Sequence, residues 1–188
     1  MKTDRLNAFT DGVIAIIITI MVLELPVPKD ATLAALMPEL PLFGAYLLSF
    51  VMVGIFWTNH HHMMQSARRV DGGVLWANLA LLFCLSLFPF VIRWIGERGV
   101  TALPVIGYGV VLTAAGIAYI VLEKALIRAE PGAEVRDAVR GQAKEFATLA
   151  LDLAALGLAW FAPWAAVACY VAVAAIWLIP DRRFEALG

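Results

Sequence analysis

Charge is what this sequence has least of. Only 15% of its 188 residues are Asp, Glu, Lys or Arg, against about 25% in soluble domains. Hydrophobic residues make up 62%, and the mean hydropathy is +0.84. Most of the 14 basic and 15 acidic side chains fall in short clusters between long apolar runs, which leaves no charged shell for a water-soluble domain. A net charge of -1 with no basic face excludes nucleic acid as a partner. The two cysteines, Cys84 and Cys169, lie inside apolar runs and read as small packed hydrophobes, not as a disulfide or metal pair. No Ser or Cys nucleophile stands at helical spacing from His60 or His61, and no zinc motif appears, so the chain does not read as an enzyme. There is no Thr-Val-Gly-Tyr-Gly-like loop. Nor does the pattern around Phe9 to Asp11 recur along the chain, so any symmetry must come from several copies.

What is present is helix-length apolar sequence. A membrane-crossing helix needs roughly 20 apolar residues to traverse about 30 Å of hydrocarbon. Six segments qualify: Leu6 to Leu25, Leu42 to Met64, Gly73 to Trp94, Thr101 to Leu126, Phe146 to Phe161 and Trp164 to Ile179. The fifth contains Asp152 and is joined to the sixth through Ala162-Pro163, a tight hairpin. The first is read as a retained helix, because Leu23-Glu24-Leu25-Pro26 carries no small-residue cleavage pattern. The fold class is therefore all-α: one polytopic unit over residues 1–188, with a cytoplasmic connector at about 128–144. With the amino terminus inside, eleven Lys and Arg collect on one side and only Lys29, Arg93 and Arg98 on the other. That bias predicts a multi-pass protein with both termini cytoplasmic.

The first segment is uncharged from Gly12 to Leu23 but begins with Arg5, Asn7, Thr10 and Asp11. A carboxylate near or within a membrane is costly and calls for a partner. Arg5 is six residues from Asp11, about 120° around the helix, so Asp11 is expected to reach a neighbouring helix. Ile16, Thr19, Ile20 and Leu23 share one stripe, roughly 130° from Asp11. If Asp11 points into its own bundle, the stripe faces lipid, another helix or a pore.

The run Arg5-Leu6-Asn7-Ala8-Phe9-Thr10-Asp11 resembles the Arg-x-x-x-Phe-Ser-Asp signature of the transmembrane protein 175 family of potassium channels, most closely its bacterial branch. Thr10 replaces the usual Ser and keeps the hydroxyl. The resemblance implies a homotetramer in the cell membrane, with the first helix, about residues 6–25, of each subunit lining a central pore. It implies Ile16 as a hydrophobic constriction, Thr19 as a selectivity hydroxyl, and Ile20 and Leu23 as further wall. Monovalent cations, potassium first, would be the permeant species, and no bound cofactor is implied.

The second segment ends in Trp57-Thr58-Asn59-His60-His61-His62. Adjacent helical residues diverge by about 100°, so one helix cannot aim three imidazoles at one metal, and no metal site is expected. Trp57 and His60 match a Trp-x-x-His pattern of the family, with His61 a possible substitute. At similar depth, Asp11 and His60 are expected to bond, so that Arg5, Phe9, Thr10, Asp11, Trp57, His60, His61 and Asn78 support the pore helix. Histidine titration makes pH sensing the alternative role. Pro89 is expected to kink or end the third helix. Asp152 is left with Lys144 or Lys124 as candidate partners. Asp152 also raises the competing reading of a secondary, proton-coupled transporter, against which stands the lack of an inverted repeat.

Overall fold

The computed structural model describes residues 3–65, 67, 70–129 and 142–178; the predicted connector falls largely outside them. Every regular element among the described residues is a helix. Helix α1 (Thr3–Leu23) ends where the Glu24 and Leu25 amides turn back to the carbonyls of Met21 and Val22, just ahead of Pro26, which disfavours helix at the residue before it. A short helix α2 (Leu33–Leu36), capped by the Thr32 hydroxyl, and one 3₁₀ turn (Met37–Glu39) lead into α3 (Leu40–Gln65). The sequence reading gave no element over residues 33–39.

The Asp71 carboxylate accepts from the Val74 amide at 2.9 Å and so starts α4 (Gly72–Ser86). Pro89 has no N–H to offer the carbonyl of Leu85, and the helix breaks at Leu87 before resuming as α5 (Phe88–Arg98). Gly99, with φ 72°, closes α5 in a conformation that suits glycine. Helix α6 (Ala102–Ala129) follows, then α7 (Gln142–Ala159) and α8 (Pro163–Leu178). The last two form the expected tight hairpin: the amides of Phe161 and Ala162 both bond to the Leu158 carbonyl, at 3.0 and 2.8 Å.

Among the described residues four segments are long and apolar enough to cross a bilayer: 3–23, 33–65, 72–98 and 102–129. The other two of the six predicted segments hold shorter apolar helices, Phe146–Ala159 and Pro163–Leu178. At 1.5 Å per residue, α8 extends about 24 Å, somewhat less than the hydrocarbon thickness. The chain is a multi-pass, all-helical membrane protein.

Helix α1 packs on α3, α4 and α5, while α6 is wedged between α4 and α7, and α8 leans on α7 and α3. The seam between α3, α5, α6 and α8 is aromatic. Tyr108 lies 5.6 Å from Phe88 and 5.5 Å from Tyr170 between ring centroids, and its hydroxyl bonds to Ser49. A Cβ at Gly109 would run into the Tyr170 hydroxyl and the Leu156 side chain, so only glycine lets α6 and α8 approach this closely. The α3 and α5 members of this seam, together with α4, cover one side of α1.

Candidate ion path and its supporting relay

Two faces of α1 differ in what they touch. Leu6, Thr10, Ile14, Ile17 and Met21, at spacings of four and three, are buried against the subunit's own bundle. On the other side Ile16 is 58% and Leu23 80% exposed, with Ile20 and Thr19 also uncovered. The stripe read from the sequence is thus the face that the subunit leaves open. The Thr19 hydroxyl donates to the Ile16 carbonyl at 2.9 Å. Its single proton is thereby used, and both oxygen lone pairs remain for a water or a cation.

The buried face is held by a chain of polar contacts through three helices. Asn78 on α4 donates from Nδ2 to the Thr10 hydroxyl on α1 at 2.9 Å, while its Oδ1 lies 2.8 Å from His60 Nε2 on α3. Because Asn78 Oδ1 has only lone pairs to offer, His60 must carry its proton on Nε2. All three residues are buried. A second tie lies nearer the surface: the Trp57 indole donates to Asp11 at 2.8 Å. Thr3 adds a weaker one, its hydroxyl 3.3 Å from the Ala67 carbonyl.

This arrangement corrects three expectations. Asp11 and His60 do not bond: Asp11 takes the Trp57 indole and His60 takes Asn78, because Asp11 sits on an exposed edge of α1 while His60 points into the α1–α3–α4 seam. Arg5 is exposed and stands outside the relay, as does Phe9. The three histidines diverge, with His61 stacked on Trp57 at 6.0 Å and paired with Gln65 at 2.9 Å. Among the described residues no group of three His, Cys, Asp or Glu is placed to hold a metal. Nor does Lys144 serve Asp152; its ammonium lies 4.8 Å over the Trp177 ring.

One feature escaped the sequence reading. Glu24, at the end of α1, lies 3.9 Å from Arg93 on α5, which is held at 2.9 Å by Glu97. A lone Arg in the apolar third segment was its only signal. Polar contacts therefore fix α1 at both ends, and its middle is fixed by aliphatic packing.

Residues 5–89 match the family model described as the endosomal/lysosomal potassium channel TMEM175. That stretch runs from α1 into α5 and holds every residue of the relay. A protein of a Chryseobacterium species, named a potassium channel, is 47% identical over 186 residues, spanning 98% of this chain and 97% of the relative. The chain belongs to the TMEM175 family. Its backbone also matches the crystal structure of a lysosomal potassium-selective channel TMEM175 homolog from Chamaesiphon minutus, with a TM-score of 0.79 at 25% identity, covering 94% of this chain and 96% of that one. The human endosomal/lysosomal proton channel TMEM175 is 36% identical over 99 residues, 46% of this chain and 19% of the human protein.

Proposed function

We propose that this TMEM175-family chain is a subunit of a potassium-selective cation channel in the cell membrane, with both termini cytoplasmic. Four copies place α1 around a common axis. The observation that carries this reading is the division of α1: one face is pinned to its own bundle through Thr10, Asn78 and His60, and another face presents Ile16, Thr19, Ile20 and Leu23, all exposed on the subunit.

The chemistry of that face suits a gated cation path. Four Ile16 side chains at the axis form a neck that is dry when narrow, and a dry neck blocks ions by the cost of stripping their water. No charge is required for such a gate. When the helices tilt, the neck widens and partly dehydrated ions pass, which favours potassium because its hydration shell is held less tightly than that of sodium. Thr19 lies about 4.5 Å further along the axis, where four hydroxyl oxygens, their protons already committed to the Ile16 carbonyls, replace part of the lost water. Ile20 and Leu23 continue the wall outward to Glu24. Hydroxyls discriminate less than closely spaced carbonyls, so selectivity is moderate.

Planar-bilayer recording of the purified protein under bi-ionic potassium and sodium tests the reading. The expected result is non-saturating single-channel current with a reversal potential favouring potassium. Saturating, counter-ion-coupled flux without unitary events would instead establish a carrier.

A further inference from the structure

Behind α1, in the part of the bundle that the ion path does not use, Asp152 on α7 is only 6% exposed, and its Oδ1 has no hydrogen-bond partner among the described residues. A carboxylate buried in a membrane helix without a partner is costly and marks a site by default. Lys144, the nearest cation along the helix, begins two turns away, about 12 Å, and is engaged with Trp177. In front of Asp152 lies a cavity of about 50 Å³ between α3, α6, α7 and α8. A water needs roughly 10–15 Å³ of such space, so the cavity takes about three to five water-sized groups.

Its walls decide what those groups are. Phe56, Tyr119 and Trp177 line it, with Asn59 and Asp152 as its polar members beside Thr148. Phe56 and Tyr119 form one aromatic corner, their centroids 6.1 Å apart and their planes tilted by 57°. The Thr148 hydroxyl already donates to the Lys144 carbonyl and receives the Trp177 indole. A bare metal ion would thus find too few free oxygens to replace its hydration shell. An ammonium bearing a short carbon chain fits better. Its charge and donors answer the carboxylate, its carbons lie against the apolar wall, and aromatic rings attract cations. Trp177 already accepts one such contact from Lys144.

We propose that this cavity binds a small organic ammonium ion, with its charged head on Asp152 and its carbon chain against Phe56 and Tyr119. None of these residues belongs to the α1 stripe or to the relay, so the site stands whether or not α1 lines an ion path. Gly116 opens onto the same space, and a Cβ there would meet nothing within 4 Å. A larger side chain at Gly116 fills the cavity and leaves Asp152 itself unaltered.

Isothermal titration of the purified full-length protein with n-butylammonium chloride, at constant ionic strength, tests this assignment. The expected result is saturable binding of one ion per subunit, weakened at least tenfold by Asp152→Asn and also by Gly116→Leu. Ile16→Asn should change the affinity by less than twofold, and n-butanol should bind at least tenfold more weakly. Should Asp152→Asn fail to give a monodisperse protein, Gly116→Leu carries the comparison. Absence of saturable binding, equal affinity for n-butanol, or binding that survives filling of the cavity would overturn the proposal.

Discussion

Replacing Asn78 by Leu removes both bonds of the buried relay while preserving side-chain volume. Intramembrane side-chain hydrogen bonds are worth about 0.6 kcal/mol on average and up to about 1.7, so the two bonds together contribute roughly 1–3 kcal/mol. The substitution also leaves the His60 ring N–H facing an apolar seam, which adds about 1–3 kcal/mol. The net expectation is a loss of about 2–6 kcal/mol per subunit. Thr19→Val is the natural comparison, because that hydroxyl bonds only to its own helix backbone and sits on the open face; its cost should be below about 0.5 kcal/mol. Reversible unfolding of the purified protein in mixed micelles measures both. A double-mutant cycle with Thr10→Val should return a coupling of about 0.6–1.7 kcal/mol with Asn78. If Asn78→Leu is no more destabilising than Thr19→Val, or the coupling is zero, the relay does not hold α1 in place.

Trp57→Phe should cost about 0.5–1.5 kcal/mol in the same unfolding assay, whereas Asp11→Asn, which keeps an acceptor for the indole, should cost less; the reverse order would show that the 2.8 Å contact is not what ties α1 to α3. Gly109→Ala should destabilise by about 1–3 kcal/mol through collision with Tyr170 and Leu156, while Gly54→Ala, with nothing within 4 Å of the added carbon, should be neutral or stabilising. Glu24→Gln should lower potassium conductance at about 10 mM salt and leave it unchanged at 1 M, since the screening length falls from about 30 Å to about 3 Å; an equal effect at both salts would remove Glu24 from the outer mouth.

How much of this was legible in the sequence depended on whether a feature is local. Pro89 foretold the α4–α5 break and Ala162-Pro163 the last hairpin, because proline's missing donor acts within its own helix. The stripe Ile16, Thr19, Ile20 and Leu23 followed from 3.6-residue periodicity, while the burial of Thr10 and Ile17 on another face came only with the structure. Pairings between helices were less accessible. Asp11, Trp57, His60 and Asn78 were all gathered in one neighbourhood, but which bonds to which depends on how α1, α3 and α4 rotate and slide, and no single helix encodes that. The same holds for Asp152 and Lys144: eight residues apart on one helix, they sit two turns from each other, and the lysine finds an aromatic face on α8 instead. The Glu24–Arg93 contact and the Tyr108–Tyr170–Ser49 cluster join residues more than 50 positions apart and had no local signature.

The central claim is that the exposed face of α1 lines the ion path, and cysteine accessibility addresses it most directly. In a background with Cys84→Ala and Cys169→Ala, Ile16→Cys is compared with Ile14→Cys, which turns the thiol into the subunit's own bundle. A membrane-impermeant, positively charged thiol reagent applied during bilayer recording should suppress potassium current through Ile16→Cys channels and leave the Ile14→Cys current unchanged. Unaltered current through fully labelled Ile16→Cys protein would contradict the claim and place that face against lipid.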